Sequence, residues 1–224
     1  MNPGTRRWAR LVIVANFVFV GAWLLAATWQ GTGYSVAEHT ISDMYADGAP
    51  GAWFLVLTFT LCGAAVLLFA FRSLWPALRA AGWPARVGVL LLGLSIFGLG
   101  DLLSVFEQQG CRLADAGCTP DAQTATFGGA ADATLSTFGA FALPVCGLVL
   151  AAAMKRLPEW QRWSRPTCYG AIAILALLLL DGILGGAGLG GLGERLFALG
   201  GAAGITMLAV GVLRRAVIVA RASA

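Results

Sequence analysis

An all-α integral membrane protein, a six-transmembrane-helix bundle with both termini cytoplasmic, is the fold this sequence predicts, and three observations predict it. The composition is 58% apolar and 12% charged with a mean hydropathy of +0.79, too apolar and too poor in charge for an ordinary soluble domain. Six stretches are long enough to cross a hydrocarbon core of about 30 Å, which needs roughly 20 helical residues. The charges are also sorted: thirteen of the fifteen Lys and Arg residues fall in segments on one side of those stretches, and ten of the eleven Asp and Glu residues fall elsewhere. Short loops rich in Lys and Arg stay in the cytoplasm. The acidic groups therefore collect at the outer face of a bacterial plasma (inner) membrane, and the whole chain, residues 1–224, reads as a single membrane domain.

The first helix, residues 11–29, follows Arg6, Arg7 and Arg10. Its apolar run is longer than a secretory h-region and ends on Trp29 without a small-residue cleavage site, so it is read as a retained span. The outer loop 30–50 contains Ser35-Val-Ala-Glu38, the spacing of a capping box, in which Ser accepts a backbone bond and Glu returns one. A short outer helix from Val36 to about Tyr45 is expected there, with His39 and Asp43 four apart on one face and Ser42 nearby. The second helix, 51–71, leads into a basic loop with Arg72, Arg79, Arg86, Pro76 and Pro84. Prolines and short length suit a tight connection on the inner side.

The third helix, 87–107, opens into the outer loop 108–130, which holds Cys111 and Cys118. A disulfide between them is expected, because the charge pattern places this loop where oxidation is permitted. Thr119-Pro120-Asp121 reads as an N-cap, a first-turn proline and a first-turn acid, hence another short surface helix. The fourth helix, 131–154, returns to the basic inner loop with Lys155, Arg156, Arg162 and Arg165. The fifth, 167–186, turns into the sixth, 192–213, through a glycine-rich hairpin; Arg214, Arg215 and Arg221 follow. Gly200 and Gly204 have the small-xxx-small spacing of close helix packing, within the bundle or between subunits. Trp8, Trp75, Trp83, Trp160 and Trp163 near inner ends, with Trp29 and Trp53 near outer ends, read as aromatic belts. No broken-helix pair of the kind common in secondary transporters is read here.

The informative polar residues are Asp101 and Asp181, each fourteen positions beyond the inner end of its helix, which places both about 21 Å up the bundle at 1.5 Å per residue. Intramembrane acids usually face a bundle interior or a polar cavity. With Asp132, Glu107, Glu194 and Arg195 nearer the surface and Glu38, His39, Asp43 and Ser42 in the first outer loop, they can line an acidic pocket at the outer leaflet. The bland alternative is that the acids bond neighbouring helices or solvent. Several carboxylates can hold a hard divalent cation, but one histidine excludes a His-rich zinc site, and no cofactor is assigned. A hydrolase reading would draw on Ser35 or Ser42 with His39 and Asp43, and proximity in sequence supplies no geometry. The basic residues flank helices, which favours lipid headgroups over nucleic acid as partners.

The run Gly33-Tyr34-Ser35, then Ile41-Ser42-Asp43, then Gly48-Ala49-Pro50-Gly51-Ala52 leading into the second helix, resembles the bacterial six-helix membrane proteins grouped as domain of unknown function nine-nine-eight. The Ile-Ser-Asp then Pro order is also remotely similar to the damage-regulated autophagy modulator family. The resemblance implies the fold and no settled activity. Some members of the bacterial family carry His near the start of the fourth helix, where this chain has Asp132, so His-dependent chemistry is not carried over; the eukaryotic family implies a membrane regulator. Residues and resemblance together favour a protein that binds a lipid, small amphiphile, partner membrane protein or second copy over an enzyme. The alternatives are a membrane-embedded lipid hydrolase or transferase using Asp101, Asp181 and His39, and a proton-coupled transporter.

Overall fold

A computed structural model describes the backbone of residues 3–222 and the side chains of residues 4–215; the side chain of Arg221 lies outside that set. Every regular element among the described residues is helical. The long helices are α1 (Pro3–Ala26), α2 (Ala52–Phe69), α3 (Trp83–Leu94, continued across a bend as Ile96–Phe106), α4 (Phe127–Lys155), α5 (Gln161–Gly186) and α6 (Gly190–Ala222). Five of them are long and apolar enough to cross a membrane, and the bent α3 brings the number to six if it is one span.

The helices close into a ring, because α1 packs on α2 and α6, α6 on α5, α5 on α4, α4 on α3, and the outer half of α3 on α2. Leu55, Phe69, Leu92, Leu150 and Ile205 are fully buried inside it. Phe17, Leu57, Leu61, Phe138 and Ile183 point outward and stay exposed, as expected of helices that are apolar all round and meet lipid rather than water. Glycines set the closest approaches. A Cβ on Gly204 would lie 2.9 Å from Ile174 Cδ1, and one on Gly200 2.5 Å from Leu177 Cδ1, so the small-residue pair of α6 seats α5 within the bundle.

The bundle has two chemically distinct ends. At the basic end Arg215 donates to the Ala77 carbonyl, pairs with Glu159 at 2.7 Å and lies 5.8 Å from the centre of the Trp160 ring. Ser73 donates to the Thr5 carbonyl at 2.6 Å. At the other end the two acidic loops meet, with the Asp47 N–H on the Gln109 carbonyl at 2.8 Å and the Gly191 N–H on the Glu38 carbonyl at 3.1 Å. Trp83 and Trp53 are exposed as belt residues should be, but Trp160 is 0% exposed. Its place beside Gly211, where a Cβ would meet the indole at 3.1 Å, makes it core rather than belt.

Three further expectations need correction or refinement. α3 is not a straight span: it bends by 44° at Ser95, whose ψ of 165° leaves the helical region before a π-helical turn, Ile96–Gly100. A broken helix is therefore present. No proline causes it; the Ser95 hydroxyl caps the inner half by donating to the Leu92 carbonyl at 2.8 Å, and Gly93, Gly98 and Gly100 crowd the turn. Residues 36–45 do not form one helix: turns precede a short 3-10 helix, Ser42–Tyr45. The other loop helix, Pro120–Thr124, is present, and the Thr119 hydroxyl accepts the Ala122 N–H at 3.2 Å as the cap motif requires.

Candidate functional site

At the acidic end, inside the ring, lies a cavity of about 50 Å³. A buried water needs roughly 10–15 Å³ measured the same way, so the space is enough for several water-sized groups. Its apolar floor includes Phe19, Phe59 and Phe97, and its polar wall is Ser42, Tyr45, Asp101, Ser104, Glu107, Ser136 and Glu194. Asp101 enters it because the π-helical turn after Ser95 reaims the outer half of α3. Gly63 of α2 and Gly139 of α4 let that irregular backbone approach on both sides; a Cβ on either would fall within 3.0 Å of α3 main-chain atoms.

Asp101 is 9% exposed and Glu107 3% exposed. Among the described residues neither carboxylate has a hydrogen-bond partner or an ion pair. Glu194 accepts the Ile41 N–H and stands 3.5 Å from the Ser42 hydroxyl. Asp132 does not line the cavity. It lies behind the wall, accepting from Gln109 at 2.8 Å, Tyr45 at 3.3 Å and Ser136 at 3.4 Å. Burial, followed by the Asp132 charge, pushes the Tyr45 phenol well above its ordinary range, so Tyr45 stays a neutral donor to Asp132.

Asp181 and Asp101 do not share this cavity. Asp181 lines a separate groove of about 400 Å³ between α4, α5 and α6, with Thr137, Phe141, Leu178, Leu179 and Gly182. The two spaces have Ile96, Ser136, Glu194 and Phe197 as common wall, so Glu194 faces both. Matched depth along the sequence placed Asp101 and Asp181 at one level without saying which way each points. Asp181 is also without a hydrogen-bond or ion-pair partner among the described residues.

The remaining candidates tie together the two acidic loops, 30–50 and 108–130, which form a lid beside the cavity through Ile41, Ser42 and Tyr45. Asp43 accepts the Leu113 N–H at 2.5 Å, the Ala114 N–H at 3.4 Å and the Gln123 amide at 3.2 Å. Burial raises its carboxyl above the ordinary range, and the two backbone N–H groups oppose that rise. A Cys111–Cys118 disulfide closes the same loop. The Ser35 hydroxyl accepts the Glu38 N–H at 3.4 Å, yet the return bond comes from His39, whose Nδ1 accepts the Ser35 N–H at 2.8 Å. Glu38 itself is exposed, away from the cavity. Arg195 donates to the carbonyls of Val36 at 2.9 Å, His39 at 2.8 Å and Gly191 at 2.7 Å, and to the Tyr34 hydroxyl. Burial raises the Tyr34 phenol, with Arg195 acting in the opposite sense.

These contacts bear on the chemistry. Among the described residues no serine hydroxyl bonds the His39 side chain: Ser42 faces Tyr45 at 3.3 Å and Glu194, and Ser35 meets His39 through its backbone N–H, so the candidate nucleophile and base are not paired. Among the described residues no group of three or more His, Cys, Asp or Glu side chains is placed to hold a metal ion. Residues that sequence reasoning underused are Tyr45, Ser104, Ser136 and Gln109; only their polarity within apolar or loop segments could have flagged them. The model of a family described as a protein of unknown function, DUF998, matches residues 13–211. No curated protein and no solved structure matches the chain.

Proposed function

Because the chain belongs to the DUF998 family, which brings no activity with it, we propose a function from the geometry of the site: binding of a membrane-derived lipid or small amphiphile at the acidic end of the bundle. The protein is a single-domain, six-span protein of a bacterial plasma membrane with cytoplasmic termini, and the acidic cavity sits in the outer leaflet. The observation that carries the reading is Asp101, buried against the cavity with no hydrogen-bond or ion-pair partner for its carboxyl among the described residues. Burying a polar group without a hydrogen bond is costly, and an intramembrane acid is retained where it meets a ligand, an ion or water. The groove between α4, α5 and α6 supplies apolar wall beside it, and its volume falls within the roughly 300–1,000 Å³ of ordinary ligand sites.

Native mass spectrometry of the purified chain tests this, with lipids retained. A bound amphiphile is expected on the native protein, and Gly182→Phe should displace it, since a Cβ at Gly182 meets nothing within 4 Å and the ring would fill the groove without disturbing packing. A protein free of amphiphile in every detergent, or one whose bound amphiphile ignores Gly182→Phe, would overturn the proposal. A second reading, proton-coupled transport, draws on the bend at Ser95 six residues before Asp101. It predicts proton movement in proteoliposomes that Asp101→Asn abolishes.

A further inference from the structure

At the acidic end five carboxyl groups lie near one another without an ion-pair partner among the described residues. Asp101, Glu107 and Glu194 line the cavity, Asp132 stands behind Tyr45 and Ser136, and Asp181 lines the groove. The ion pairs among the described residues are Arg112 with Asp115 and Arg215 with Glu159, and neither involves any of these five acids. Arg195 follows Glu194 in sequence and its charge acts on that carboxyl, but its guanidinium donates to three carbonyls and the Tyr34 hydroxyl and forms no ion pair with it. Arg112 gives its other contact to the Gln30 carbonyl at 2.9 Å. Asp101 and Glu107 are each more than nine-tenths buried and unpartnered, and both face the cavity.

We propose that the ligand is a single-chain amphiphile with a protonated amine headgroup, its ammonium in the cavity between Asp101, Glu107 and Glu194 and its tail passing between Ile96, Ser136, Glu194 and Phe197, which border both spaces, into the groove walled by Phe141, Leu178 and Leu179. The proposal rests on the amphiphile-binding reading above and adds the headgroup charge. An ammonium carries donors only, which matches a wall whose free positions are carboxylate acceptors. A phosphate or carboxylate headgroup would meet like charge with no guanidinium or ammonium to receive it, a juxtaposition that discriminates strongly between partners. The cavity is small, about 50 Å³, which suits a compact ammonium with a few waters. Asp181 extends the negative wall along the groove, so the cation meets a carboxylate before it reaches the cavity.

Calorimetric titration of the full chain in a neutral maltoside detergent tests the assignment with dodecylamine, dodecanol and dodecanoate as probes. Dodecylamine should bind saturably and at least about tenfold more tightly than the other two, and Asp101→Asn with Glu107→Gln should weaken it by about tenfold or more, as removal of buried charge partners does. Glu194→Gln alone should weaken it in the same direction, giving a variant that leaves both unpartnered acids in place. Gly182→Phe should weaken every probe. If the three probes bind equally and the acid variants leave that unchanged, the amine assignment is wrong while the amphiphile site stands. If none binds saturably, or Gly182→Phe changes nothing, the amphiphile reading falls and the amine assignment with it.

Discussion

Asp43 shows how a residue can have the right type for chemistry and a different job. Its carboxylate takes two backbone N–H groups and one amide from the loop 108–130, which makes it an anchor between the two acidic loops. Asp43→Ala should leave the Leu113 and Ala114 N–H groups unpaired, at about 1–3 kcal/mol for each that stays buried, while the Gln123 amide keeps Gln109 and the Cys111 carbonyl. The expected result is a lower unfolding temperature in detergent and faster proteolysis within residues 108–130, with the disulfide intact. Unchanged proteolysis would mean that the Cys111–Cys118 bond alone orders the loop. The sequence named Asp43, Ser42 and His39 together because a helix would align them; turns replace that helix, so His39 turns back to Ser35 and Asp43 turns across to Leu113. Side-chain direction in an irregular loop is set by partners distant in sequence. Local spacing carries no record of them. Asp101 was legible as a buried acid for a different reason, since it interrupts a long apolar run and such an acid usually turns to the bundle interior.

Among the elements, the long apolar helices were readable from hydropathy, and the Thr119 cap and the cysteine pair were readable from residue type and spacing. The bend in α3 was not, because the apolar run continues through it and no proline marks it. The signal lay in the cluster Gly93, Ser95, Gly98 and Gly100 just before Asp101, which has the composition of an unwound turn as much as of a packing face. Tertiary neighbours decide between those readings: Gly139 admits the Ser95–Ile96 backbone so closely that an added Cβ would lie 2.8 Å from Ile96 Cα and 3.0 Å from the Ser95 carbonyl carbon. Main chain cannot swing aside as a side chain does. Gly139→Val should therefore destabilise the fold by about 1–3 kcal/mol, the usual scale of overpacking, and should reduce amphiphile binding by shifting Asp101. Gly182→Ala is the matched control, with open space at its Cβ, and should leave thermal stability and binding near the native values. Equal effects from the two would show that helix propensity rather than α3 geometry sets the outcome.

At the scale of the whole molecule the two ends are held by different chemistry, and that difference fixes what an orientation experiment must find. The basic end is tied by Arg215 to Ala77 and Glu159, and its arginines suit retention on the cytoplasmic side, where anionic headgroups are found. The acidic end carries a disulfide, which suits an oxidising outer compartment, together with the cluster of carboxyl groups. Glu38 and Arg162 are both exposed and lie at opposite ends. In a background with Cys62, Cys146 and Cys168 replaced by Ala, Glu38→Cys should react with a membrane-impermeant maleimide in intact cells. Arg162→Cys should react only after permeabilisation. The reverse pattern would place the acidic cavity in the cytoplasmic leaflet, where the ligand would have to be drawn from the inner pool and the Cys111–Cys118 bond would face a reducing solvent. Because α1 and α6 pack against each other and the contacts of Thr5 and Arg215 join their basic ends to the loops 72–86 and 155–166, both of those helix ends must follow Arg162 to whichever side it occupies. One pair of labelling reactions thus orients those helix ends, the lid and the carboxylates together.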